Sequence, residues 1–321
     1  MAKQQSQKDT LNSILAQFNG TPTEERWPTG IRAMDILLGG GLTPGYCYGV
    51  YGVPGAGKTT IVMQMLRSLC KQSKRCIYID VEKSFNSDQA AAFGLTEYLQ
   101  SGQLSVVVMG TFSDIDKLVS AIAQDGSSVD CVVIDTITMA RESVKADLSV
   151  EDVRPGLHAR QTNFVLNKLK DAFYRHNIVS IVMFQSRANI DMNGSTSPYA
   201  PAYKQAGGYA EQHIPDVIIR VDIGAAIRDE NKNQLGHIIK LSTDKNKFAP
   251  PKRVIARNFY FGRGIPKREE IIDDALTQGI IAIGAAGYYT LPDGEKIHGI
   301  KALYDIPRET VQQLQSQLNG E

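Results

Sequence analysis

The sequence contains no run of residues long and apolar enough to span a bilayer. Its first residues, Met-Ala-Lys-Gln-Gln-Ser-Gln-Lys, lack the apolar segment of a secretory signal. A cytoplasmic protein without membrane contact is therefore expected. Cysteine is scarce: Cys47, Cys70, Cys76 and Cys131 show no paired metal-ligand spacing, and three of them lie in apolar, strand-like runs. That excludes a disulfide scaffold and predicts reduced core thiols. An excess of one charge is also missing. The formal net charge is +1 over 321 residues, so a polyanion would have to be held by local patches and not by the overall field. There is no internal repeat. The length still allows a substantial core, enough for one large domain with smaller attachments.

Against these absences stands one complete motif. Gly52-Val53-Pro54-Gly55-Ala56-Gly57-Lys58-Thr59-Thr60 satisfies G-x-x-x-x-G-K-[ST]. A short apolar and aromatic run, residues 46–51, precedes it. Ile61, Val62, Met65, Leu66 and Leu69 follow at the spacing of an amphipathic helix. Strand, glycine loop and helix together let backbone N–H groups and a helix N-terminus surround a phosphate. The glycines let the backbone close on the anion without a Cβ in the way. The motif predicts a nucleoside triphosphate site in which Lys58 reaches the β and γ oxygens and the Thr59 hydroxyl ligates Mg²⁺. Gly52, Pro54, Gly55, Ala56, Gly57 and Thr60 complete the expected contacts.

Between residues 30 and 265 strand-like and helix-like stretches alternate. Residues 75–80, 104–109, 130–135 and 177–184 are short runs rich in Val and Ile, as in strands buried on both faces of a parallel sheet. Amphipathic stretches at 113–124 and 157–175 separate them. The expected fold is α/β, a mainly parallel sheet flanked by helices. Runs at 216–222, 237–243 and 253–261 follow one another without helices and predict an antiparallel extension of that sheet. Leu11, Ile14, Leu15 and Phe18 form the stripe of an N-terminal helix, to be docked either on the chain's own core or on a neighbouring subunit. After Pro266 a small α/β module is expected, with helices at 268–278 and from Arg308. The division is 1–23, 24–266 and 267–321. Two stretches, 141–156 and 186–208, are polar and carry neither period. Loops beyond about 12–15 residues within a compact domain are usually functional or disordered.

ATP hydrolysis needs an acid that orders Mg²⁺ and a group that orients or deprotonates the attacking water. Asp135 ends an apolar strand, where a magnesium-ordering acid would sit. Glu82, two residues past the strand ending at Asp80, would face the same crevice as a general base, or else be a surface glutamate. Gln185 follows the strand ending at Phe184 and opens the second loop, so its amide would touch the γ-phosphate while moving that loop. In the helix after the first loop, Arg160, Asn163 and Asn167 share one face, and Val165, Leu169 and Phe173 lie opposite. Such a stripe suits a phosphate backbone and equally a solvated helix face. Arg187, Tyr199, Tyr203 and Lys204 give the second loop charge and rings, as in single-strand binders.

The phosphate loop, Tyr78-Ile-Asp-Val-Glu82, Val132-Val-Ile-Asp135-Thr, Gly156-Leu-His-Ala-Arg160, Phe184-Gln185-Ser-Arg187, Gly207-Gly208 and Asp244-Lys245-Asn-Lys247 resemble bacterial RecA recombinases in order and spacing. So do Phe261-Gly-Arg-Gly-Ile265, Gly287-Tyr-Tyr and Asp293-Gly-Glu-Lys-Ile297 in the tail, which hexameric helicases and clock-type ATPases lack. The resemblance implies a DNA-dependent ATPase that polymerises as a helical filament on single-stranded DNA and exchanges strands with homologous duplex. ATP would sit at each subunit interface, and single-strand-binding and mediator proteins are further partners. The resemblance assigns the N-terminal helix to the adjacent subunit, Glu82 to the catalytic base and Gln185 to γ-phosphate sensing. It assigns residues 141–156 and 186–208 to DNA binding. Arg160, Asn163, Asn167, Arg187, Gly207 and Gly208 match positions that face DNA, with Tyr199 or Tyr203 standing in for a phenylalanine of the second loop. Lys245 and Lys247 match the pair that reaches a neighbour's ATP. Gln89 stands where the family usually has a tyrosine stacking on adenine, and Phe261 would cover the base's other side. The family's acidic tail is missing after Asn319, which implies weaker autoinhibition.

Overall fold

A computed structural model of the chain describes residues 24–125, 128–142, 156–188, 203–205 and 212–320. The expected N-terminal helix lies outside these, as do most of 141–156 and 186–208. Among the described residues no helix is long and apolar enough to cross a membrane.

The central element is β1 (Cys47–Gly52), buried at every residue. It lies between β5 (Val179–Ala188) and β7 (Val217–Arg228), parallel to both. Outward from β5 come β4 (Cys131–Asp135), β2 (Cys76–Asp80) and β3 (Leu104–Val108), all parallel. On the other side β8 (Gln234–Lys245) and β9 (Val254–Tyr260) extend the sheet antiparallel from β7. The expected mixed sheet is thus the observed one. Helix α1 (Arg32–Leu38), α2 (Lys58–Lys71), α3 (Ser87–Ala92) and α4 (Thr96–Gln100) accompany the first half of the chain. Helices α5 (Phe112–Asp125) and α6 (Leu157–Arg175) follow. One core packs Ile61, Val62, Met65, Leu66 and Leu69 of α2 against Tyr48, Val50, Tyr78 and Val133. A second packs Ile115 and Val119 of α5 and Val165, Leu169 and Phe173 of α6 against Ile79, Ile134 and Val182. Helices α2 and α6 bury the faces their spacing predicts, and α5 covers the sheet beside α6, because a parallel sheet must be covered on both sides. All four cysteines are free and buried.

Two expectations need correction. Gln185 is not past the end of its strand, since β5 runs on to Ala188. The reason is a partner strand, β6 (Tyr203–Gln205), which pairs antiparallel with Ser186–Ala188. Strands β7 and β8 also outrun their apolar segments, because they pair with each other as a ribbon as far as Arg228 and Gln234. Backbone pairing there does not need apolar side chains. The strands of the module expected after Pro266 are short, the first being only Ala282–Ile283. It is the edge of a three-stranded antiparallel sheet with Tyr288–Thr290 and Lys296–His298. That sheet, helix α7 (Lys267–Thr277) and the helix Arg308–Asn319 surround a third core, with Ile271, Ile272, Leu291, Leu303 and Leu314.

A buried charge cluster fastens α7 to the main sheet. Helix α1 has no side-chain cap of its own at Ile31. Instead Glu270, 1% exposed, accepts the N–H groups of Arg32 (3.1 Å) and Ala33 (2.8 Å). This caps α1 from a residue 237 positions away. Arg32 Nε donates to Asp274 at 2.5 Å, and Arg257 on β9 pairs with the same carboxylate.

Burial pushes the Glu270 carboxyl from 4.5 up to about 7, outweighing its N–H donors and Arg257. Between those pH values the folded state holds a proton that the unfolded chain has released, so stability falls as pH rises through the window. Glu270→Gln does not titrate. Urea unfolding at pH 5 and pH 8 should therefore cost the wild type more stability than the variant, by up to about 3 kcal/mol. Equal losses would contradict this account.

Candidate nucleotide site and polar helix face

The phosphate loop joins β1 to α2, and strand register decides what it meets. Gly52 at the end of β1 stands opposite Gln185 of β5, and Asp80 of β2 stands opposite Asp135 of β4. Parallel strands carry all four to one edge of the sheet. Within the loop Gly57 has φ +95°, and a Cβ there would lie 2.5 Å from the Phe259 ring of β9. Only glycine allows that conformation and that approach. No acidic residue occupies the first turn of α2, so the positive end of its dipole faces the loop without an internal counter-charge.

The side chains converge. Lys58 Nζ donates to the carbonyls of Gly52 (2.9 Å) and Val53 (3.0 Å). Burial lowers its pKa, against the pull of Asp135 and Glu82. Thr59 donates its hydroxyl to Asp135 at 3.0 Å, and the Tyr78 hydroxyl donates to the same oxygen at 2.5 Å. Asp135 is 2% exposed, and burial raises its pKa despite both donors. Beyond β2, Asp80 accepts the N–H groups of Ser84 (3.1 Å) and Phe85 (2.9 Å), which turns the chain so that Glu82 faces inward. The Thr136 hydroxyl donates to Glu82, and Gln185 Nε2 approaches the same oxygen at 3.5 Å.

A pocket of about 470 Å³ opens among these groups. Gly52, Pro54, Gly55, Gly57, Lys58, Thr59 and Thr60 line one side, with Glu82, Asp135 and Gln185 opposite. Phe261 and Gly262 close an end. Ala56 is buried beneath the loop and does not line the pocket. The residues fit a magnesium nucleotide: an N–H cradle with a lysine suits phosphates, and the Thr59 hydroxyl and Asp135 carboxylate are hard oxygen donors.

Other expected residues stand apart. Gln89 is half-buried in α3 and is not among the pocket's lining residues. Lys245 Nζ donates to the carbonyls of His213 (2.6 Å) and Pro215 (2.5 Å). Lys247 pairs with Asp216 at 2.6 Å, beside Lys170 at 2.7 Å. Neither lysine reaches this chain's own pocket. Burial pulls the Asp216 pKa upward, but the two lysines and the Cys47 N–H hold it below the ordinary carboxylate value.

On α6, Arg160, Asn163 and Asn167 are all exposed. Asn167 Nδ2 donates to Asn163 Oδ1 at 2.5 Å. Sequence reasoning missed Phe164, which is 62% exposed on this face, with Lys168 Nζ 5.8 Å from its ring centroid. Its signal was readable, an aromatic out of phase with Val165, Leu169 and Phe173. Thr136 and Phe259 were also missed. Thr136 carries no periodic signal, and Phe259 comes from a distant strand. Arg187 pairs through its backbone with Lys204, and Tyr203 with Ala188. Tyr199, Gly207 and Gly208 lie outside the described residues.

Comparison with known proteins agrees with this geometry. The RecA N-terminal domain family matches residues 7–266. Protein RecA of Helicobacter pylori (strain P12) is 30% identical over 255 residues, covering 79% of this chain and 70% of that protein. Protein RecA of Wolinella succinogenes is 26% identical over 100% of this chain and 90% of its own length. The crystal structure of the RadB recombinase superposes with a TM-score of 0.54 at 22% identity, covering 74% of this chain and 98% of that one. With the family match spanning residues 7–266, most of its length, this chain belongs to the RecA family.

Proposed function

We propose that the chain is an ATP-dependent recombinase that polymerises on single-stranded DNA and carries out homologous pairing and strand exchange in recombination and repair. The observation that supports this most is the meeting of Glu82 and Gln185 at 3.5 Å beside the phosphate loop, with Gln185 inside the strand that enters the second polar segment. A group that senses the γ-phosphate is thereby joined rigidly to a DNA-binding stretch.

In this reading Lys58 leaves the Gly52 and Val53 carbonyls for the β and γ oxygens of ATP. Glu82, held by Thr136, takes a proton from water as its oxygen attacks the γ-phosphorus and the bond to the β–γ bridging oxygen breaks, leaving ADP and phosphate. Thr59 and Asp135 would hold Mg²⁺, which when bound would supply positive charge beside the phosphates. Phe261 covers the adenine, and Gln89 is its second neighbour once the subunits close. Lys245 and Lys247 point away from their own pocket, so they serve a neighbour's ATP across the filament interface. Residues 1–23 dock on that neighbour, 24–266 form the ATPase core and 267–321 a small C-terminal domain. Arg160, Asn163, Asn167, Arg187, Tyr199, Tyr203, Gly207 and Gly208 face DNA, and Phe164 stacks on a base between the Arg160 and Lys168 cations. Single-strand-binding and mediator proteins are the expected partners, in the cytoplasm.

Glu82→Gln should bind ATP but hydrolyse it about 10²–10⁴-fold more slowly. Electron microscopy with ATP and single-stranded DNA should then show persistent helical filaments. Closed rings, or normal phosphate release, would defeat the reading. Mixing the inactive Lys245→Ala/Lys247→Ala protein with the Glu82→Gln protein should restore part of the ATPase rate, because some interfaces regain a complete site. No recovery at any ratio would rule out shared sites. Phe164→Ala should weaken single-stranded DNA binding by about 1–3 kcal/mol in anisotropy titrations, with ATP affinity unchanged.

A further inference from the structure

Farther along α2 from the phosphate loop lies a second pocket, of about 380 Å³. Its charged lining is Arg67 and Lys71 from α2, Arg263 from the connection after β9 and Lys267 from the first turn of α7, and no acidic side chain lines it. Among the described residues none of the four charged ends makes an ion pair or hydrogen bond. None of the nearby acids forms an ion pair with these four among the described residues, and the Arg263 charge reaches only Glu269 of them. Glu269 accepts from Asn258 at 2.6 Å, while Glu270 caps α1 and Asp274 binds Arg32 and Arg257. Lys74, three residues past Lys71, shows the ordinary alternative, with Glu25 at 3.7 Å and Asp130 at 3.9 Å.

This arrangement is locally unfavourable without an anion. Arg67 and Lys71 are like charges at i and i+4 on one helix face. Lys267 opens α7, the end at which a cation opposes the helix dipole. The walls are nevertheless held in place by uncharged contacts. The Gln64 amide donates to the Ile265 carbonyl at 3.0 Å and accepts its N–H at 3.1 Å. The turn can approach that closely because Gly264 has φ +73°, and a Cβ there would lie 2.4 Å from Gln64 Oε1. The backbone that carries the four cations is therefore held in a fixed frame, and the four side chains themselves are exposed around one opening.

We propose that Arg67, Lys71, Arg263 and Lys267 form an anion site, separate from the nucleotide pocket, that takes a ligand bearing several phosphate groups. A single carboxylate would leave most of the charge unmatched, whereas two guanidinium forks and two ammonium groups suit clustered phosphate oxygens. The phosphates belong either to a free polyphosphate or to a nucleic-acid backbone.

The test titrates full-length protein with inorganic tripolyphosphate by calorimetry, in Mg²⁺-free buffer with excess ADP. In parallel, a short DNA duplex is titrated by anisotropy over a salt series. Wild type is compared with Arg67→Gln/Lys71→Gln and Arg263→Gln/Lys267→Gln, and unchanged unfolding curves check that both variants fold. Both should lose affinity by about tenfold or more for at least one probe, and a loss for the duplex should come with a shallower salt slope. Loss for tripolyphosphate alone assigns a free polyphosphate, and loss for the duplex assigns a nucleic-acid backbone. Affinities unchanged for both probes in both variants overturn the site. The comparison between wild type and variants does not depend on what the phosphate loop binds.

Discussion

The alignment of parallel strand ends is the constraint from which the nucleotide site follows. Once Gly52 is paired with Gln185 and Asp80 with Asp135, the phosphate loop, the buried acid, the candidate base and the Gln185 amide share one edge. A slip of one residue in either ladder would turn each of these side chains to the other face. The close-packed apolar runs of β1, β2, β4 and β5 hold that register from both sides. The site therefore inherits its precision from the core and not from contacts among the polar groups themselves.

Those polar groups are linked in pairs that suit a switching device. Asp135 is shared by Thr59 and Tyr78, and Glu82 is shared by Thr136 and Gln185. Each hydroxyl or amide has a protein partner, which a phosphate or metal ion would replace. Lys58 resting on two loop carbonyls has the same character. The extension of β5 through Ser186 to Ala188 sets Gln185 within a strand whose next three residues are paired with β6.

Away from that edge, Glu270 and Asp274 tie the C-terminal module to α1 and β9 through buried charge. The same tie engages Glu270 and Asp274 away from the opening that Arg263 and Lys267 share with Arg67 and Lys71, so no carboxylate lines it. A structural clamp and a basic pocket are in this sense two sides of one helix. The exposed Phe164 on α6 is a comparable case, an aromatic kept outside the core although three apolar residues of the same helix are inside it.

The α/β class, the phosphate loop, the strand-end acids, the amphipathic stretch of α5 and the buried faces of α2 and α6 were legible in sequence, because short-range periodicity and a spaced motif encode them. The short helices α1, α3 and α4 were not, since one or two turns carry too few positions for a period. The lengths of β5, β7 and β8 were set by partner strands, and a polar segment gives no sign that its backbone is paired. Gln89, expected beside adenine, does not line the pocket, and Lys245 and Lys247, expected at a neighbour's ATP, do not line it either. Glu270 reads as an ordinary first-turn glutamate and serves another helix. Sequence alone thus determined which residue types line the phosphate loop and which runs form the sheet. Tertiary structure decided which side chains meet across it, because contacts between distant segments depend on register and packing that no local pattern records.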